Sequence, residues 1–268
     1  MNKVRVAVAG ASGRMGRMLV EAALNDDAIE LASAFEQPGS AFVGRDVGET
    51  SGAATGVIIG DDARTAISAA DCVIDFTRPE GTLRHLALAR ELGKAVVIGT
   101  TGLGTDDKVA VEQASRDVPV VFAPNMAVGV NAVFRLLEVA AKILDEGYDI
   151  EVIEAHHRFK VDAPSGTALR MGEIVARELG RDLEHCAICG REGVTGERKS
   201  ETIGFSTIRG GDIVGDHTVL FAGLGERIEI THKSGSRMPY AVGAMRAARF
   251  LSGRRNGLFD MQDVLGLR

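Results

Sequence analysis

The chain has 268 residues, with 31 Lys or Arg against 37 Asp or Glu and a formal net charge of −6, a balance that argues against a nucleic-acid binder, which would carry a basic stripe. A composition of 45% hydrophobic and 25% charged residues suits a globular protein with a sizeable core, and charges or glycines interrupt every apolar run short of the ~18 to 20 residues needed to span a bilayer. Three cysteines make no disulfide framework and the N-terminus shows no export-signal pattern, so a reducing cytoplasm is the expected compartment.

Glycine is abundant, at 33 of 268 residues, against a usual share of about 7%, and many tight turns should follow. In the N-terminal half, short β-branched runs alternate with helical patterns, which predicts an α/β fold with a parallel sheet and crossover helices. Val4 to Ala9 reads as a first strand and runs through the turn Gly10-Ala-Ser-Gly-Arg-Met-Gly16 into a helix. Ile29 to Phe35 reads as a second strand ending at Glu36, and Cys72 to Phe76 as a third. A helix with proline in its first turn covers Pro79 to Leu92. Ala95 to Ile98 and Pro119 to Ala123 continue the strands, with a helix around Asp106 to Ser115 between them.

Beyond about Asn125 the pattern changes. A long helix from about Asn131 to Leu144 precedes a strand from Tyr148 to His156. Residues 184–233 then read as longer strands separated by glycine turns at Gly210-Gly211, Gly215 and Gly223-Leu-Gly225, which predicts a second, α+β domain with a mixed sheet. Met238 to Leu251 is helical again.

Two segments carry chemistry. Gly10, Gly13 and Gly16 follow a buried strand and open a helix, the context in which backbone N–H groups and a helix N-terminus hold a pyrophosphate. Ser12 stands where the usual spacing has a glycine, and Glu36 lies about 20 residues beyond Gly16, where an acid can accept ribose hydroxyls. Gly99-Thr100-Thr101-Gly102 forms a second turn at the carboxyl end of another strand. The other segment is Glu154-Ala-His156-His157-Arg-Phe-Lys160-Val-Asp162-Ala-Pro164-Ser165-Gly166-Thr167-Ala168. Two histidines end a strand, a lysine offers a proton and a charge, and Ser165-Gly-Thr leads into a helix whose N-terminus suits a carboxylate.

These residues resemble the 4-hydroxy-tetrahydrodipicolinate reductase (dihydrodipicolinate reductase) family, whose hallmark is similar to the whole 154–168 segment. The resemblance extends along nearly the entire chain, through Val8 to Gly16, Asp75 to Glu80, Gly99 to Gly102, Ala123 to Asn125 and Gly225 to His232. It implies NAD(P)H-dependent reduction of a cyclic imine dicarboxylate to tetrahydrodipicolinate, in lysine and diaminopimelate biosynthesis, by a homotetramer. It implies a Rossmann-type domain from residues 1–127 and 238–268, and a substrate-binding and tetramerisation domain over 128–237. The cofactor residues would be Gly10, Ala11, Ser12, Gly13, Arg14, Met15, Glu36, Gly99, Thr100, Thr101, Ala123, Pro124, Asn125 and Met126. His156 and Lys160 would be catalytic, and His157, Lys160, Ser165, Gly166, Thr167 and Arg237 would hold substrate. Gln37 departs from the pattern, because some members carry a basic residue after the acid; Pro124 and Met126 vary the 123–126 stretch. With Gln37 beside Glu36, NADH is expected to be favoured and NADPH still usable.

Cys186-Ala-Ile-Cys189 beside His185 has no second ligand pair, so no metal is expected there. Two other readings stay open on the residues alone: an amino-acid dehydrogenase of similar two-domain build, or a dinucleotide-sensing protein. The second would need no grouping of His156, Lys160 and Ser165-Gly-Thr.

Overall fold

The computed structural model describes residues 3–51 and 54–267, which fall into two compact units: the chain up to Val128 together with the chain from Arg237 onward, and Gly129–Ser236. Val128 and Arg237 thus fall in the first unit, one residue beyond each expected boundary.

The first unit is built on β1 (Val4–Ala9), β2 (Ile29–Phe35), β3 (Ile59–Gly60), β4 (Cys72–Asp75), β5 (Ala95–Ile98), β6 (Pro119–Phe122) and β12 (Gly257–Phe259). They form one seven-stranded sheet in the order β12-β6-β5-β4-β1-β2-β3, with all neighbours parallel. Because successive side chains point to opposite faces, β1 serves two cores at once. Val6 and Val8 join Leu19 of α1 (Arg14–Leu24) and Ala244, Met245 and Ala248 of α8 (Met238–Leu251). Ala7 and Ala9 join Ile67 of α2 (Ala63–Ser68), Leu86 of α3 (Pro79–Leu92) and Val111 of α4 (Thr105–Ser115). Truncating a fully buried residue such as Leu19 to alanine should cost about 2–5 kcal/mol. Strand order reverses between β1 and β4, which opens a crevice at their carboxyl ends, where such sheets bind ligands. The short β12, followed by α9 (Met261–Leu265), is a seventh strand that three residues of weak pattern did not announce.

The second unit contains α5 (Val128–Ile143) from its second residue on, β7 (Asp149–His156), α6 (Gly166–Glu178), α7 (Leu183–Cys186), β8 (Ala187–Cys189), β9 (Ile203–Arg209), β10 (Gly215–Ala222) and β11 (Arg227–Ser234). Its five-stranded sheet runs β11-β10-β7-β9-β8, antiparallel at β10 and parallel from β7 to β8, and is therefore mixed. Along β7, buried Ile150, Val152, Glu154 and His156 alternate with half-buried Glu151, Ile153 and Ala155. Met171, Ile174 and Val175 of α6 are buried in the same unit. A Cβ on Gly172 would stand 2.5 Å from the Phe205 ring, so only glycine lets helix and sheet approach this closely.

Gly215 is not a turn, as its neighbours Gly210 and Gly211 had suggested, but the first residue of β10. A side chain there would meet His156, which explains the glycine without any special dihedral. Cys186 ends α7 and Cys189 ends β8, both as free thiols.

Candidate active site

In the first unit, the chain leaves β1 through Gly10, whose φ of +64° is a left-handed conformation that disfavours any residue with a Cβ. A Cβ at Gly16 would stand 2.0 Å from the Gly10 carbonyl oxygen, so the third glycine lets α1 pack directly on the turn. Gly13 caps α1, whose first turn holds no acidic residue, leaving its unpaired N–H groups and positive dipole end for an anion. Ser12, the apparent irregularity in the spacing, ties the turn to the acid after β2: Glu36 Oε1 accepts from Ser12 N at 2.8 Å and Ser12 Oγ at 2.5 Å. A cavity of about 250 Å³ beside this turn is lined by Ala11, Ser12, Arg17, Phe42, Arg45 and Ile59. The Arg17 and Arg45 guanidiniums lie 5.6 and 5.5 Å from the Phe42 ring centre. These residues fit a dinucleotide: a glycine cradle, an open helix end and an acid at ribose distance in sequence.

The other predicted cofactor residues also stand at carboxyl ends of parallel strands. Gly99 to Thr101 follow β5 and Ala123 to Met126 follow β6. A Cβ on Gly99 would meet the Phe76 ring at 2.2 Å. Thr100 is buried, its hydroxyl 2.7 Å from Thr82 Oγ and 3.3 Å from Asp75 Oδ1, and Met126 is wholly buried in the core. Both have only backbone to offer a ligand. Arg14 and Pro124 are exposed and Asn125 is partly buried.

Asp75, which the sequence placed in a matching segment without a role, organises this region. Its carboxylate is fully buried and accepts from Thr77 N and Oγ and from Thr82 and Thr100, and His85 Nδ1 stands 2.6 Å away. Burial alone would raise this carboxyl, yet His85 and Thr77 hold it below the ordinary aspartate range.

In the second unit, strand register gathers a polar cluster on the covered face of the sheet. Glu154 pairs with Thr207 on β9 and His217 on β10, His156 pairs with Arg209, and His217 pairs with His232 on β11. Glu154 is the hub, 1% exposed. It accepts from Arg209 Nη1 and Nη2, both at 2.8 Å, from Ser165 N at 3.1 Å and from Thr207 Oγ at 3.3 Å, and lies 2.6 Å from His156 Nδ1. Burial would raise its carboxyl, but Arg209 and His156 bring it down to about 2. The carboxylate therefore fixes Nδ1 of His156 as the protonated nitrogen. Nε2 of the same ring faces Gly215, where a Cβ would stand 3.1 Å away. Burial pushes His156 below its ordinary value despite the pull of Glu154, so the ring is neutral near pH 7.

Lys160 Nζ lies 2.8 Å from each carboxylate oxygen of Asp162. Ser165 caps α6 through Oγ, which accepts from Ala168 N at 3.2 Å and stands 3.0 Å from His217 Nε2. The expected donor pattern changes accordingly: the Ser165 N–H is already given to Glu154, and exposed Gly166 and half-buried Thr167 begin the open end of the helix. His157 is half-buried, and its Nδ1 has no hydrogen-bond partner among the described residues. Arg237 belongs to the first unit, at the N-cap of α8. Glu154, Arg209 and His217 were missed as site residues; the signal for Glu154 was its two-residue spacing from His156, which puts both on one face of β7.

No group of His, Cys, Asp and Glu able to hold a metal occurs among the described residues, and no described helix is long and apolar enough to cross a membrane. A glycine turn on a parallel 3-2-1-4-5-6 strand order, in one chain with this second unit, defines a Rossmann-type oxidoreductase that uses a nicotinamide cofactor. The family models "Dihydrodipicolinate reductase, N-terminus" and "Dihydrodipicolinate reductase, C-terminus" match residues 4–126 and 129–265, and the chain belongs to the dihydrodipicolinate reductase family. It is 78% identical over 268 residues to the 4-hydroxy-tetrahydrodipicolinate reductase of Aromatoleum aromaticum, covering 100% of this chain and 97% of that one. The protein of the same name from Dechloromonas aromatica is 64% identical, with 100% of both chains covered. Among solved structures, the dipicolinate-bound dihydrodipicolinate reductase from Paenisporosarcina sp. TG-14 shares the fold, with a TM-score of 0.74 at 22% identity over 97% of this chain and 98% of that one.

Proposed function

We propose that the protein reduces the cyclic imine dicarboxylate derived from 4-hydroxy-tetrahydrodipicolinate to tetrahydrodipicolinate, consuming one NADH or NADPH and one proton per turnover. The observation that carries this reading is the Glu154 hub, which holds His156, the start of α6 and, through Arg209, the 162 carbonyl in one cluster beside Lys160. The dinucleotide, when bound at Gly10 to Met15, Glu36, Gly99 to Thr101 and Ala123 to Met126, supplies the hydride.

The chain's own residues supply the rest. Reduction leaves negative charge on the substrate, and a nearby acid has to quench it. His156, neutral with its proton directed at Glu154, offers a lone pair at Nε2, so it relays or orients a proton. Lys160 is the donor, its ammonium now neutralised by Asp162 and open to exchange that partner for a substrate carboxylate. The first turn of α6 holds a carboxylate through Gly166 and Thr167, with His157 as a further partner, and Arg237 is a further residue proposed to bind substrate.

NADH is the favoured cofactor. Glu36 accepts hydrogen bonds from the ribose hydroxyls, and a 2′-phosphate would be repelled there unless a cation compensates. Arg45 and Arg17 line the adjoining cavity and keep NADPH usable, but Arg45 is 53% exposed and lies 3.8 Å from Glu49, which weakens its pull. The open face of the five-stranded sheet, with Ile153, Leu220, Thr218 and Thr231, is the tetramer surface, and the compartment is the cytoplasm. Mixing aspartate semialdehyde, pyruvate, a synthase and this protein should yield tetrahydrodipicolinate, identified by mass spectrometry, in equal amount to NADH oxidised. NADH oxidation without that product would overturn the reading.

A further inference from the structure

We propose that His217 is a positioning residue for the anion site at the start of α6: its Nε2 donates to Ser165 Oγ and thereby frees the Ser165 hydroxyl proton for a substrate carboxylate. The inference rests on the dicarboxylate reading above and adds to it a residue that does not itself touch substrate.

His217 is 3% exposed within β10, opposite Glu154 on one side and His232 on the other. Its Nε2 is 3.0 Å from Ser165 Oγ, and its Nδ1 is buried with no hydrogen-bond partner among the described residues. The His156 ring meets it edge-on, with centroids 5.0 Å apart. Burial, and then the neighbouring His156, push His217 down to about 4, so the ring is neutral near pH 7 and carries a single N–H.

The two tautomers differ in what they leave unpaired. With the proton on Nδ1, a buried N–H would lack an acceptor and Ser165 would have to spend its hydroxyl proton on the ring. With the proton on Nε2, only a ring lone pair is left over, the milder defect. In that arrangement Ser165 Oγ accepts twice, from His217 Nε2–H and from the Ala168 N–H at 3.2 Å. Its own proton then needs an acceptor. The Ser165 N–H is already committed to Glu154 at 3.1 Å, so the hydroxyl is what Ser165 has left to offer. The first turn of α6 has no acidic residue, and Gly166 leaves open space where a side chain would stand, which suits an incoming carboxylate.

Calorimetry with dipicolinate as the probe, together with steady-state kinetics, tests this on His217→Ala, His217→Gln and His217→Asn. Glutamine places an amide N–H near the Nε2 position, whereas asparagine places it near Nδ1. We expect His217→Ala to weaken dipicolinate binding and raise KM about tenfold, the scale of one hydrogen bond to a charged group. NADH affinity should not change and kcat should stay within about twofold, since the contact acts on bound substrate and transition state alike. Glutamine should restore most of the affinity and asparagine should not. In a Ser165→Ala background, His217→Ala should add nothing further. Equal dipicolinate affinity in the Gln and Asn variants, or a full further loss in the Ser165→Ala background, would overturn the proposal, and the Gln and Asn pair decides even if the alanine variant does not fold. Failure of the unmodified protein to bind dipicolinate would instead strike the dicarboxylate reading itself.

Discussion

A buried carboxylate with several donors acts as a fixed point, because moving any one donor leaves charge unpaired at low dielectric. Glu154 is such a point for His156, Arg209 and Ser165. Thr167 stands in the first turn of α6, and Thr167→Val should mainly raise KM with kcat little changed, since the clamp acts in ground and transition states alike. Substrate titration in the coupled assay checks this. The histidine cluster also sets acid stability. Unfolded His217 binds a proton near pH 6.5, whereas the folded ring, pushed down to about 4, does not. Stability is therefore full above 6.5 and falls as pH drops from 6.5 through 4, by at most about 3 kcal/mol for this residue. His156 and His232 are lowered too and contribute with the same sign. Urea unfolding at a series of pH values should show the decline, and His217→Gln should flatten it. Residue by residue, the reactive types were legible because His, Lys, Ser and Thr stand together in sequence; Arg209 and His217 were not, because only strand register brings them to Glu154.

Among the elements, those with a strong periodic pattern were readable and those fixed by tertiary contact were not. Strand β1 and helix α3 have bounds that match the pattern, since apolar runs and an N-terminal proline mark them locally. Strands β3, β8 and β12 have two or three residues each, and they exist only because a neighbouring strand offers hydrogen bonds. Gly215 shows the same limit: as a letter it suggests a turn, and in place it makes room for His156. Gly215→Ala should crowd Nε2 from 3.1 Å and lower kcat by about tenfold or more, the lower part of the scale for impaired acid–base geometry, while NADH affinity is unchanged. Gly16→Ala should do the reverse, abolishing NADH binding because its Cβ would strike backbone at 2.0 Å. Fluorescence titration with NADH separates the two.

For the whole molecule, the division into two units was legible from the change in strand pattern near residue 125, since parallel strands buried on both faces read differently from strands with one open face. The side chains around the glycine turn were legible only in part, because Glu36 and Gln37 are adjacent in sequence while Arg17, Phe42 and Arg45 meet across a loop. Gln37→Arg should raise kcat/KM for NADPH by about tenfold and leave that for NADH little changed, as an added guanidinium pairs with the phosphate alone. A native preference for NADPH would show that Arg17 and Arg45 already dominate the pocket. The central claim is that a proton-donating cluster around Lys160 and His156 completes the reduction of a cyclic dicarboxylate. The most direct measurement is kcat in the synthase-coupled assay for the unmodified protein beside Lys160→Ala and His156→Ala. The account predicts synthase-dependent NADH oxidation that falls by about 10² to 10⁴ in each variant. Near-normal turnover in both variants, or no synthase-dependent oxidation by the unmodified protein, would contradict it.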